Sequence, residues 1–334
     1  MIGSQGFTGK RADVPSGGEP RDRGDLRPVI VLLGPTGVGK TEASICVARE
    51  LGTEIISADS MQVYRHMDVG TAKPSRELLA AVKHHMIDVA DPAVPFSTGK
   101  YLGLVVPIIE TLQGMGKPPL VVGGTGLYIK AMTRGLFSAP AANESLRAEL
   151  LSIEQERHGI LYERLKGLDP VAAGRIPPGD LRRILRALEV SITVGSPISV
   201  LQHHATRPLP YRFIKIGLTR ERSELYRMIG ERVEQMFAHG LIEEVEQLLA
   251  LSPCYTALQA IGYKEVIRFL RGQAGLEETV ALVKRSTRRY AKRQYTWFRK
   301  EESISWIDIT GLSDSDLISR EIFRILRRGG LLPA

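Results

Sequence analysis

Cysteine is scarce in this chain: two among 334 residues, Cys46 and Cys254, with no CxxC pair. That excludes a disulfide scaffold and a cysteine-rich zinc site, and it suits a reducing compartment such as the cytoplasm. Both thiols read as ordinary small core residues. Long apolar runs are missing too. None approaches the roughly 20 residues a membrane helix needs, so no membrane role is expected. The opening stretch, MIGSQGFTGKRADVPSGGEPRDRGD, has no apolar centre and contains acidic residues, which fits neither a secretory signal nor a transit peptide. Gly, Pro, Ser and charge dominate it, so residues 1–27 are expected to be a disordered tail. Acid is in deficit overall, 37 Asp and Glu against 45 Lys and Arg, a net charge of +8. A polyanionic partner is expected, although composition does not say which kind.

What is present is an alternation of strand and helix signals. Val29–Leu33 is a continuous, largely β-branched apolar run, which reads as a buried strand. An amphipathic stretch from Lys40 to Leu51 follows, then a short strand over Glu54–Ala58 that ends at Asp59. Residues 60–95 read as loop-rich, punctuated by Gly70, Pro74, Pro92 and Pro95. A helix over 98–115 leads to a buried strand, Pro119–Val122, closed by Gly123-Gly124-Thr125-Gly126. From about 138 to 207 there is helical periodicity, much arginine and no strand. Strand character returns over Phe213–Leu218, with helices expected over 221–251 and 276–300, a late strand over Ile304–Ile309 and a final helix. The expected architecture is an α/β fold: a P-loop NTPase-like parallel sheet with helices on both faces and a helical insertion. Residues 28–137 and 208–334 would form the core, and 138–207 the insertion.

The sharpest motif is Gly34-Pro35-Thr36-Gly37-Val38-Gly39-Lys40-Thr41, which matches GxxxxGK[ST] between a strand and a helix. In that setting backbone N–H groups wrap phosphate oxygens, Lys40 adds a point charge, and Thr41 can hold Mg²⁺. The loop recognises a diphosphate without naming its owner. A hydrolytic motor would place an acid at the end of a core strand, and the 119–122 strand ends in glycines instead. Asp59 is the best acid near the loop, able to take a proton or to help hold the metal. Taken alone it reads first as a turn or N-cap aspartate, and Gln62 and Thr125 likewise suit turns and caps.

Residues 284–300 hold eight basic side chains, four interleaved aromatics and no acid. Cations neutralise phosphates and aromatic faces stack on unpaired bases, so RNA contact is expected, with some of the aromatics in the core. On Leu181–Val190, Arg182 and Arg186 lie one turn apart beside a leucine stripe. The pairs His84-His85 and His203-His204 do not stand at metal-ligand spacings and read as surface or loop residues.

Taken in order, GPTGVGKT, ADSMQVYRHMDVGTAKP, HHMIDVADP, VVGGTGLY, LDPVAAGRI, RRILRALEV, QAIGYKEV and RRYAKRQYTWFRK resemble the tRNA dimethylallyltransferases, or isopentenyl-tRNA transferases, from Gly34 to Lys300. The resemblance implies transfer of a dimethylallyl group from dimethylallyl diphosphate to the adenine beside the anticodon, in a channel where that base arrives flipped from its stack. It also implies that the P-loop holds the prenyl diphosphate in place of ATP, although loops of this type elsewhere bind ATP. Mg²⁺ would be required, and the tRNA anticodon stem-loop would be the macromolecular partner, with no obligate protein partner and a monomeric enzyme.

Carried over residue by residue, Asp59 would orient or deprotonate the exocyclic amine, Thr125 would sit by the leaving phosphate, and Arg227 would be a second phosphate ligand. The tRNA would meet Asp59, Ser60, Met61, Gln62, Thr125 and Arg147, then Arg182, Arg183, Ile184, Leu185 and Arg186. Further contacts would fall on Gln259, Ala260, Ile261, Gly262, Tyr263 and Lys264, and on Arg288, Arg289, Lys292 and Arg293. The chain departs from the family pattern at Ile176–Asp180 and at Thr98-Gly99-Lys100. It carries no terminal zinc finger, which points to the bacterial type. The rival readings are a prenyltransferase acting on free adenylate, a small-molecule P-loop kinase, and a nucleotide-switched RNA-binding protein. The first two leave the basic helix unexplained.

Overall fold

The computed structural model describes residues 26–137 and 139–332; most of the expected tail over 1–27 lies outside them. Six parallel strands form one sheet in the order β3-β2-β4-β1-β5-β6. They are β1 (Pro28–Leu33), β2 (Ile55–Ala58), β3 (His84–His85), β4 (Leu120–Gly123), β5 (Arg212–Thr219) and β6 (Ile304–Asp308). The central strand β1 pairs with β4 through Ile30–Leu120 and with β5 through Pro28–Arg212. Its alternation explains why every residue of the run is apolar. Ile30 and Leu32 enter one buried cluster, and Val29, Val31 and Leu33 enter another on the opposite face.

The first face is covered by α1 (Lys40–Glu50) and by the later helices α10 (Arg222–Ala238) and α15 (Ser315–Arg328). Between β2 and β4 the chain forms α2 (Arg76–Ala81) and α3 (Thr98–Gly114); α4 (Gly126–Arg134) follows β4, and α3 and α4 cover the second face. There Tyr101 and Tyr128 stack with ring centroids 3.8 Å apart.

The segment read from sequence as loop therefore contains α2 and the two-residue edge strand β3. His84 and His85 are β3, half-buried, rather than surface or loop residues. His85 Nε2 lies 2.7 Å from Glu54, which Lys83 and Lys117 also approach at 3.2 Å. Burial opposes the charge on Glu54, but those three partners outweigh it and hold its pKa down at about 2.

After α4 come α5 (Glu144–Glu156), α6 (Ile160–Leu168), α7 (Pro170–Ala173), α8 (Leu181–Val194) and α9 (Ile198–Ala205), with no strand among their described residues. They enclose their own apolar cluster, including Leu150, Leu161, Ile184 and Leu188. The chain leaves and rejoins the core at one place, where Leu209 N–H donates to the Met132 carbonyl at 3.2 Å.

The helical stretch expected over 221–251 holds α10 and α11 (Leu241–Ala250), separated at Gly240 with φ 88°. The short α12 (Tyr255–Leu258) and α13 (Tyr263–Leu270) precede the long basic α14 (Leu276–Phe298). Helices α11–α13 pack with residues 61–69 in a further apolar cluster beside the sheet's C-terminal edge. Ligands of open α/β sheets bind at that edge.

Candidate active site

The turn after β1 brings the cradle to the strand ends, with Gly37 and Gly39 at φ 79° and 103°. Lys40 Nζ donates to the carbonyls of Gly34 (3.0 Å) and Pro35 (2.8 Å), closing the loop around its own backbone. Loss of water around Lys40, with Arg232 nearby, pushes its pKa down to about 8 against the opposing pull of Asp59 and Glu42. Helix α14 braces the cradle from outside. Gln294 accepts Thr36 N–H at 2.8 Å and donates to the Gly124 carbonyl at 2.8 Å, joining the P-loop to the glycine turn after β4. A Cβ at Gly124 would lie 2.3 Å from the Gln294 amide nitrogen, and one at Gly126 would lie 2.3 Å from Trp297. Close approach of α14, not freedom of the turn, explains those two glycines.

A cavity of about 260 Å³ opens beside the cradle. Thr36, Asp59, Ser60, Met61, Gly70 and Thr71 line one side; Arg232 and Met236 of α10, Gln259–Ile261, Lys264, and Tyr290 and Arg293 of α14 line the other. Asp59 combines a turn with a place at the cavity. Its Oδ1 accepts the N–H groups of Met61 (2.8 Å) and Gln62 (3.3 Å) in a turn, and its carboxylate also borders the cavity. Thr125 Oγ1 accepts Ser60 N–H at 3.0 Å and is bonded to the Tyr290 hydroxyl. Burial, and then the Asp59 charge, push the Tyr290 phenol well above its usual pKa against the opposing pull of Thr125, Arg293 and Gln294, so it stays protonated. Gln62 lies behind this wall, donating to the carbonyls of Thr71 (3.3 Å) and Ala72 (3.2 Å).

Of the two arginines of α10, Arg232 and not the expected Arg227 lines the cavity. Arg227 points outward, its side chain 62% exposed and ion-paired with Glu231 at 2.8 Å. Arg232 lines the cavity, with Nη1 3.3 Å from Thr36 Oγ1, and it feels both Asp59 and Glu42. Their spacing on one helix is the only sequence signal for the difference, and it does not say which face turns inward. Tyr290 and Gln294 are the other functional candidates that the sequence reading missed, hidden within a segment read for its charge.

The tRNA candidates divide. Gln259, Ala260, Ile261, Lys264 and Arg293 border the cavity, but Tyr263 is fully buried and Gly262 is buried behind them. In α8, Ile184 is core and packed in the insertion's apolar cluster, whereas Leu185 is half-buried. Arg147 and Arg186 converge on Glu189, at 3.0 and 2.6 Å, and Arg183 closes on Asp180 at 2.5 Å; Arg182 is exposed. Arg288, Arg289 and Lys292 line an open groove of about 450 Å³ between α10 and α14, together with Arg222, Tyr226, Lys284 and Arg285. The guanidinium carbons of Arg222 and Arg288 flank the Tyr226 ring at 5.0 and 5.6 Å. Of the aromatics in α14, Phe298 is core and Trp297 packs by Gly126. Among the described residues no helix is long and apolar enough to cross a membrane, and no cluster of three or more His, Cys, Asp or Glu forms a metal cage.

Comparison with known proteins converges on one family. The IPP transferase model matches residues 62–301, and an isopentenyl transferase model matches 27–91. The chain is 53% identical over 308 residues to a tRNA dimethylallyltransferase of Thermodesulfovibrio yellowstonii, covering 90% of this chain and 98% of that one. It is 47% identical to a tRNA dimethylallyltransferase of Symbiobacterium thermophilum, over 90% and 95%. A solved tRNA isopentenylpyrophosphate transferase from Bacillus halodurans superposes with TM-score 0.67 at 39% identity, covering 92% and 98%. A eukaryotic dimethylallyltransferase acting on tRNA superposes with TM-score 0.75 at 28% identity, covering 91% and 79%. With a family model over most of its length and relatives of this identity and coverage, the chain belongs to the tRNA dimethylallyltransferase family.

Proposed function

We propose that this enzyme transfers a dimethylallyl group from dimethylallyl diphosphate to the exocyclic amine of the adenine next to the anticodon in tRNA, releasing diphosphate. The observation that carries the reading is the single cavity in which a phosphate cradle, Asp59 and a wall from α12–α14 meet. A small-molecule kinase would also need an acceptor pocket beside the cradle, but it would leave the basic groove of α14 without a use. A tRNA base-modifying enzyme needs both the groove and room for an extruded base. Lys40 and Arg232 would take up the charge that develops on the diphosphate as its C–O bond breaks. Asp59 would accept an N–H of the adenine amine, aim its nitrogen at the prenyl carbon and receive the proton as the C–N bond forms. Tyr290, kept protonated, would hold Thr125 beside the leaving group. Hard oxygen donors at Thr41 and Asp59 suit Mg²⁺, which binds through few protein ligands plus phosphate oxygens. When bound, it would add positive charge at the leaving diphosphate.

Residues 28–137 and 208–334 would act as the catalytic core and 138–207 as a helical tRNA-binding insertion, in a monomeric cytoplasmic enzyme. The test is incubation with bulk tRNA, Mg²⁺ and labelled dimethylallyl diphosphate, without ATP. Label in adenosine of tRNA is expected. Strict dependence on ATP, with phosphate transferred to an acceptor, would replace this reading with a kinase.

A further inference from the structure

Residues 67–73 have no regular secondary structure, yet their polar atoms are tightly held. Glu244 of α11 accepts the N–H groups of Asp68 (2.8 Å) and Val69 (2.7 Å) on one oxygen and Gly70 N–H (3.0 Å) on the other. The Tyr263 hydroxyl donates to that second oxygen at 2.6 Å. Three successive amides converging on a carboxylate form an anion nest, and each bond is charge-assisted. On the far side Lys73, its side chain 5% exposed, joins Asp68 (2.6 Å), Asp88 (2.5 Å) and the Tyr64 carbonyl (2.7 Å). Ala72 takes φ 48°, a left-handed conformation that a non-glycine residue keeps only when its surroundings impose it. Gly70 is required by contact, since a Cβ there would lie 2.5 Å from the Tyr263 ring.

This rigidity has an address. Gly70 and Thr71 line one wall of the cavity, and Tyr263 sits behind the facing wall of Gln259–Ile261 and Lys264. Glu244 does not line the cavity but bonds to Gly70 in one wall and to Tyr263 behind the other. We propose that Glu244 is a positioning residue: through the 68–70 amides and Tyr263 it sets the spacing of the two walls between which the acceptor nucleotide enters. The inference rests on the function proposed above for the same cavity. The P-loop, Lys40 and Arg232 make no bond to this network, so the diphosphate end should not feel its loss.

Glu244→Gln keeps the side-chain shape, removes the charge and turns amide hydrogens toward N–H groups. In steady-state assays it should raise the KM for tRNA by about tenfold, the scale of one or two charge-assisted hydrogen bonds. The KM for dimethylallyl diphosphate should stay within about twofold, the ordinary spread for a site left untouched. Tyr263→Phe, which deletes one bond and keeps the ring against Gly70, should shift the tRNA KM in the same direction by less. Rates are normalised to the active fraction from a donor-binding titration, so loss of folded protein lowers the amplitude and moves neither KM. A variant with lowered amplitude and both KM values unchanged would overturn the proposal by making Glu244 purely structural. Equal rises in both KM values would overturn it as well. Should Glu244→Gln fail to fold, Tyr263→Phe decides on the same two constants. Wild-type enzyme without any prenyl transfer would sink the functional reading and this inference together; wild-type transfer with an unmoved tRNA KM sinks this inference alone.

Discussion

Around the cavity, Lys40, Arg232, Lys264 and Arg293 gather near a single lining acid, Asp59. In the insertion, Arg147 and Arg186 close on Glu189, whose side chain is 1% exposed, and Arg183 closes on Asp180. Both regions are rich in cations, but in one the cations surround an open cavity and in the other several of them are paired with carboxylates. Burial opposes the negative charge on Glu189, and the bonds from Arg186 and Arg147 overcome that and depress its pKa. Arginine density in a sequence therefore has two opposite meanings, and the nearest carboxylate decides between them.

The sharpest way to test the cavity's side of this contrast is its one acid. Asp59→Asn keeps the shape and loses the base, so kcat should fall by roughly 10²–10⁴, with tRNA affinity in filter binding nearly unchanged. Near-normal single-turnover prenylation would leave Asp59 only its turn. Next comes the choice between two arginines of α10. Arg232→Ala should lower kcat/KM for the donor by on the order of 10²–10³, as loss of a preorganised charge-stabilising group does, while Arg227→Ala changes it by less than about twofold. The reverse ranking would restore Arg227 as the phosphate ligand.

The insertion's side is tested by Glu189→Gln. Leaving two guanidinium groups around a neutral, buried side chain should cost about 3–5 kcal/mol, seen as a lowered melting transition. Unchanged stability with tighter tRNA binding would show that these arginines are available to phosphates after all. The smallest effect is a pH dependence. Only protonated Lys40 attracts a diphosphate, and its pKa near 8 lies well below the ordinary lysine value. Donor affinity should be full below pH 8 and weaken as pH rises through it, by up to about tenfold per unit. A calorimetric titration from pH 7 to 9 should show that slope in the wild type and none in Lys40→Ala.

The strand–loop–helix of the cradle is legible because its residues act within a few positions of one another, and the long strands and helices show their own periods. Other parts depend on packing the sequence does not display. Arg227 and Arg232 differ by about 140° around α10, and only the neighbours of Ile229 and Val233 say which side turns inward. The two-residue β3 is too short to carry a period, and α12 and α13 are likewise brief. Glu189 looks like any helix glutamate until the fold buries it between two arginines. Gln294 lies in a basic run whose charge draws attention away from the one neutral polar side chain that holds the cradle.

Gln294 also fixes when the enzyme becomes competent. Its partner at Thr36 lies 258 positions earlier in the chain, and its partner at Gly124 lies 170 positions earlier. The cradle's own strand is likewise completed by β5, which arrives only after the whole insertion. Such distant pairings raise the contact order and delay closure of the sheet. A ribosome would therefore have passed residue 294 before the P-loop took its working shape. The insertion, with its own apolar cluster and short-range helices, is free to assemble while it waits.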